Sequence, residues 1–104
     1  SLLEAMKVFN WRMTWEIGYR EPSPARSSAA KVYGTEVVIQ VYRLLLEVLG
    51  AAGALRKGSP GAALHGQLEA ECRGSLINTF GGGVNEILRE IVAQIELGMP
   101  RSPR

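Results

Sequence analysis

The chain has 104 residues, 46% apolar and 21% charged, with a net charge of +2; this is the balance of one globular domain and excludes a disordered segment. The basic residues are scattered: Arg56 with Lys57, and Arg101 with Arg104, form no stripe that would track a phosphate backbone, so a nucleic-acid partner is not expected. The single cysteine, Cys72, excludes an internal disulfide and fits a reducing, cytoplasmic setting, and no apolar run approaches the length of a membrane span.

The first segment, "SLLEAMKVFNW" onward, starts inside an amphipathic pattern, which predicts a piece of a longer chain. Leu2, Met6, Phe9, Met13 and Ile17 recur at helical spacing. Trp11, Trp15 and Tyr19 form a second apolar stripe, so this helix is expected to bury more than one side, within the domain or against a partner. "REPSPARSS" (20–28) then breaks the pattern with two prolines.

A long helix is predicted from about Ser28 to Leu49, with Val32, Tyr33, Val37, Val41, Leu44, Leu45 and Val48 on its apolar positions. Its β-branched residues would suit a strand, but the length and the three-to-four spacing favour a helix. Ser27 or Ser28 is the expected cap, and Gly50 fits the left-handed position that closes the helix. After the loop "GAAGALRKGSPGA" (50–62), Ser59 and Pro60 read as the cap and first residue of a third helix carrying Leu64, Leu68 and Cys72 and weakening at Gly74. "SLINTF" continues it as helix or as a short extended piece. A fourth helix holds Val84, Ile87, Leu88, Ile91, Val92 and Ile95, stopped by Gly98 and Pro100. With no repeats, no pair of strands and short connections, residues 1–104 are expected to form a single all-α, up-and-down four-helix bundle.

His65 and Cys72 each lack the companions a metal site requires, and the seven positions between them deny Cys72 a base. His65 reads as a solvated helix residue and Cys72 as a small core residue. Glu69, Glu71, Glu86, Glu90 and Glu96 read as helix-surface carboxylates. The run Gly81-Gly82-Gly83 is neither a Walker loop nor a dinucleotide fingerprint, since no Lys-Ser/Thr follows and Glu86 occupies the last glycine slot. Two readings stay open: a tight turn, or a bare backbone that lets an electron-rich ligand approach a helix N-terminus.

"RGSLINTFGGGVNEILREIVAQIELGMPR" resembles the C-terminal stretch of the flavin-dependent acyl-CoA dehydrogenases, in which Glu-Gly-Thr or Gly-Gly-Thr leads into a helix opening Asn/Ser-Glu-Ile. "LLEVLGAAGALR" (45–56) is similar to that family's Gln-Ile-Phe-Gly-Gly-x-Gly stretch, and "SSAAKVYGTE" (27–36) to the helix start before it. The resemblance covers essentially the whole chain. It implies a C-terminal helical domain of a longer enzyme, FAD, acyl-CoA substrates as in fatty-acid β-oxidation, an electron-transfer flavoprotein as acceptor, and homo- or hetero-oligomers assembled through this domain.

Residue by residue, the resemblance places Glu47, Gly50 and Ala51 at the pyrophosphate or adenosine part of FAD held by a neighbouring subunit, and Val84, Asn85 and Glu86 along the flavin. Gly81, Gly82 and Gly83 would lie beside the thioester. Three substitutions depart from the family: Glu47 for glutamine, Ala51 for glycine, and Val84 for a hydroxyl-bearing residue. Gly82 stands where many members carry the catalytic glutamate, so the resemblance implies a base on an earlier helix and no catalytic residue within this chain. The departures together also fit a non-catalytic subunit of a heteromeric dehydrogenase; composition alone fits a plain helical interaction module.

Overall fold

A computed structural model describes residues 1–101 and 103; Ser102 and Arg104, the latter among the scattered basic residues, lie outside the described residues. Four α-helices account for most of the chain: α1 (Leu2–Tyr19), α2 (Pro24–Leu49), α3 (Gln67–Ser75) and α4 (Asn85–Ile95). No strand occurs among the described residues. The all-α, four-helix class expected from periodicity is the class observed. Backbone contacts divide the chain into two compact units, Ser1–Val37 with Thr79–Arg104, and Val38–Asn78, with α2 contributing to both.

In the first unit, α1 and α4 pack against the N-terminal half of α2. Contacts from Glu16 to Arg26 and from Leu2 to Tyr33 run α1 antiparallel to α2. Arg26 with Glu96 at one end, and Glu36 with Arg89 at the other, do the same for α4. Phe9 and Tyr33 meet edge to face at 6.3 Å, a favoured aromatic geometry. The core comprises Ala25, Val32 and Val37 here and Ile39 in the second unit, together with the buried polar residues Glu16, Ser28, Ser75 and Asn85.

α1 departs from the expected faces. Ile17 is 64% exposed while Glu16 beside it is 5% exposed. The reason is electrostatic: Arg12 and Arg26 converge on the Glu16 carboxylate, so the inward-facing position is held by an ion pair rather than by an aliphatic side chain. The tryptophan stripe is exposed in this chain, at 63% for Trp11 and 56% for Trp15.

α2 begins at Pro24, four residues before the expected start, because proline suits a first helical turn whose N–H groups have no acceptor. Ser27 and Ser28 therefore lie inside the helix, and Ser28 is buried rather than capping it. Gly50 takes φ +66 as expected, but the chain turns on as a 3₁₀ segment, Gly50–Ala54. With that extension, Pro24–Ala54 is long and apolar enough to cross a bilayer by length and composition, contrary to the expectation that no run approaches a span. Three of its charged side chains are engaged by neighbouring elements, Arg26 by Glu16, Lys31 by Asn85 and Glu36 by Arg89, whereas Arg43 and Glu47 are exposed.

The third helix differs most from its reading. Ser59 and Pro60 sit in a turn, and α3 starts only at Gln67. Leu64, His65 and Gly66 all adopt left-handed backbone, with φ of 50°, 54° and 74°, so Leu64 and His65 are not helix residues. Gly61 is left-handed as well, and these reversals consume the chain that helical spacing assigned to α3. Of the two readings of "SLINTF" the helical one holds, in tightened form: Ser75 ends α3 and Leu76–Thr79 continues as a 3₁₀ helix. α4 ends at Ile95, and Gly98 follows in left-handed conformation with the Met99 N–H bonded to the Ala93 carbonyl.

Candidate functional site

The second glycine stretch forms the entry to α4. Gly82 and Gly83 have φ of +72° and +118°, which side-chain-bearing residues rarely adopt, so the backbone itself requires glycine at both. A Cβ at Gly82 would meet nothing within 4 Å, whereas one at Gly83 would press on Leu88 Cδ2 at 3.3 Å. The two readings of the triplet are therefore compatible. The turn is real, and its outer side at Gly82 is open.

Val84 is the N-cap of α4 in extended conformation and supplies no side-chain cap. The first helical bond runs from the Leu88 N–H to the Val84 carbonyl at 3.0 Å, so the amides before Leu88 have no acceptor within the helix. Val84 is 43% exposed and Glu86 is exposed. Asn85, expected to line a flavin, is only 2% exposed. Its side-chain oxygen accepts from Lys31 Nζ at 2.7 Å, and its amide donates to Thr35 Oγ1 at 3.1 Å and Glu36 Oε1 at 3.2 Å. With donors and acceptor engaged inside the unit, Asn85 presents only backbone to a ligand at the turn.

Lys31, Thr35, Glu36 and Arg89, which hold the start of α4 from behind the turn, are the residues that sequence reasoning missed, and of them Lys31 bonds to the glycine stretch. Lys31 Nζ also donates to the Gly83 carbonyl at 2.7 Å, and Arg89 Nη2 donates to Glu36 Oε2 at 2.6 Å. Thr35 Oγ1 in turn donates to the Lys31 carbonyl. A signal was present: Lys31, Thr35 and Glu36 fall on one helical face, between the apolar positions of α2. A polar stripe there demands polar partners on a neighbouring element.

The first glycine stretch belongs to the second unit and is described separately. Glu47, Gly50 and Ala51 are all exposed. Gly53 is buried, and a Cβ there would meet Leu49 Cβ at 2.8 Å, so this glycine serves close packing of the chain on the end of α2. An anion fits poorly beside Glu47, since the carboxylate and the C-terminal carbonyls of α2 are both negative. The uncharged adenosine part of a flavin dinucleotide suits this stretch better than its pyrophosphate. The α4 entry has the opposite character: open space at Gly82 and backbone donors without a helical acceptor match a neutral ring edge rich in acceptors.

Elsewhere in the second unit, Tyr42 donates to Glu71 Oε2 at 3.1 Å, and that bond to a carboxylate, with burial and its charge, raises the phenol above its ordinary range. Arg73 holds Glu69 below the usual carboxylate range by hydrogen bonds at 3.0 and 3.3 Å. A hollow of about 390 Å³ is lined by Lys57, His65, Gln67, Ala70 and Glu71. No group of His, Cys, Asp and Glu able to hold a metal occurs among the described residues.

Residues 2–97 match the family described as acyl-CoA dehydrogenase, C-terminal domain. Over 104 residues the chain is 50% identical to acyl-CoA dehydrogenase FadE26 of Mycobacterium tuberculosis, covering 97% of this chain and 26% of that protein. It is 36% identical to acyl-CoA dehydrogenase FadE29 of the same organism, covering 98% and 27%. Among solved structures it resembles the Tcur3481-Tcur3483 steroid ACAD, with a TM-score of 0.88, 53% identity, and coverage of 97% of this chain and 26% of that one. The ChsE4-ChsE5 complex from Mycobacterium tuberculosis aligns with a TM-score of 0.86 and 50% identity, over 97% of this chain and 26% of that chain. The chain thus spans about a quarter of the length of the relatives it matches.

Proposed function

The chain belongs to the acyl-CoA dehydrogenase family as a C-terminal domain, and from that premise we propose that it forms part of an FAD-dependent enzyme that oxidises acyl-CoA thioesters between their α and β carbons. The observation that carries this reading is the α4 entry, where the left-handed turn of Gly82 and Gly83 leaves open space at Gly82 beside helix-start amides that have no acceptor within the helix. Bound FAD would supply the hydride acceptor for the β-carbon. Gly81, Gly82 and Gly83 admit the thioester without steric conflict, and Val84, Asn85 and Glu86 offer backbone to the ring. Gly82 has no side chain to take the α-proton, so the base belongs to a part of the enzyme outside this chain. Glu47, Gly50 and Ala51 contact the adenosine end of a flavin. A cytoplasmic enzyme passing electrons to an electron-transfer flavoprotein completes the reading.

Purification of the longer protein that contains these residues tests it. Flavin absorbance that bleaches on addition of acyl-CoA is expected. Colourless protein that stays inert with every candidate partner would overturn the proposal.

A second reading is favoured by a specific observation. Relatives of known structure carry titles that pair two components, Tcur3481 with Tcur3483 and ChsE4 with ChsE5. Together with the missing side chain at Gly82 and the carboxylate of Glu47, this supports a subunit that completes a heteromeric dehydrogenase. A flavin-loaded homo-oligomer of the longer protein, active alone, would rule it out.

A further inference from the structure

Glycine runs leave the orientation of their peptide groups undecided, because both directions are sterically open. Within residues 81–83 something else must choose which way each carbonyl faces. Lys31 makes that choice at one peptide: its ammonium donates to the Gly83 carbonyl at 2.7 Å and to Asn85 Oδ1 at 2.7 Å. These are charge-assisted bonds, stronger than neutral ones, and the second pins the ammonium so that it cannot follow the carbonyl outward. The peptide is trans, so the N–H of Val84 points opposite to the captured carbonyl. It faces away from α2, and as the N-cap amide it has no acceptor inside the helix.

We propose that Lys31 is a positioning residue of the site: by capturing the Gly83 carbonyl it aims the Val84 N–H outward, as the donor that meets a carbonyl acceptor on the bound flavin or thioester. This rests on the flavin reading above. Lys31 touches neither ligand and acts through the peptide. The rest of the network holds the start of α4 without it, since Glu36 binds Arg89 at 2.6 Å and Asn85 at 3.2 Å. Loss of Lys31 therefore frees the peptide while leaving the helix in place. Thr35 provides the matched control: it contacts Asn85 at 3.1 Å, and its removal leaves Gly83 held.

The test compares wild type, Lys31→Met and Thr35→Val in the full-length protein with its partners. Titration with FAD alone reports a flavin acceptor; the spectral response of the loaded protein to an acyl-CoA reports a thioester acceptor. Lys31→Met is expected to weaken one of the two by about tenfold, with Thr35→Val unchanged in both. Equal losses in the two variants, or no loss in Lys31→Met, would overturn the positioning role. Should Lys31→Met not fold, Lys31→Arg carries the comparison: its broader head shifts both contacts, and affinity equal to that of Thr35→Val counts against the proposal. Wild-type protein without flavin sinks the functional reading, and with it this one. A flavin-loaded protein indifferent to Lys31 sinks this one alone.

Discussion

Glu16 and Arg26, ten residues apart on α1 and α2, join at 2.7 Å across a break that contains Pro22 and ends at Pro24, and Arg12 reaches the same carboxylate oxygen at 3.2 Å. This ion pair, not an aliphatic contact, closes the α1–α2 corner. Burial pushes the Glu16 carboxyl up, but the hydrogen bonds and charges of Arg12 and Arg26 outweigh it and leave the group below its ordinary value of 4.5. Because the folded state binds this proton less readily than the unfolded chain, the stabilisation is complete above about 4.5 and fades as pH falls through the lower folded value. Acid unfolding of the wild type should therefore show a component in that window. Glu16→Gln should be less stable at neutral pH and should lack it, as circular dichroism against pH will read.

Asn85 is the buried polar centre of the first unit, with Lys31, Thr35 and Glu36 as its partners. Asn85→Ala leaves the part-buried Lys31 ammonium and two acceptors short of a partner, a loss of about 2–3 kcal/mol. Denaturant melts should show it as a lower midpoint with an unchanged slope.

Two left-handed glycines should respond differently to one methyl group. At Gly66 (φ +74) a Cβ would collide with the Lys57 nitrogen and meet the Arg56 carbonyl carbon at 2.7 Å, which are backbone atoms that cannot swing aside. At Gly82 (φ +72) it would meet nothing within 4 Å. Gly82→Ala should cost only the strain of the left-handed conformation, about 1–2 kcal/mol. Gly66→Ala should cost clearly more and shift the connection before α3. Thermal melts of the pair decide it, and equal losses would contradict the geometry.

Trp11, Trp15 and Tyr19 are 63%, 56% and 76% exposed along α1, with Trp15 and Tyr19 rings 5.4 Å apart. Such a stripe on an isolated domain promotes association. Residues 1–104 alone should sediment as a concentration-dependent oligomer, and Trp11→Glu with Trp15→Lys should shift it toward monomer. The same preparation should be colourless, because the surfaces of one helical domain enclose too little of a flavin to retain it. Stoichiometric flavin absorbance would contradict that expectation.

Helical periodicity in the residues of α1, α2 and α4 was legible because each segment must bury a stripe, and the 3.6-residue repeat writes that stripe into the chain. The fold class followed. The third helix was not legible, because Leu64 and His65 show helical spacing but take left-handed backbone. Nothing local announces that conformation in residues with a Cβ, and it persists because the surrounding chain holds it. The glycine triplet was visible as a candidate site, but Lys31 was not. Its partners lie 52 and 54 residues away.

The order of residues by itself determined α1, α2 and α4, the left-handed turn at Gly50, and the absence of a side chain at Gly82, since these depend on local backbone preference and on composition. Only the tertiary structure decided that Glu16 turns inward, that Asn85 is enclosed, and that Lys31 orients the Gly83 peptide. The physical reason is the same for all three. A buried polar group is tolerated only where partners from distant segments satisfy it, and which segments meet is settled by packing.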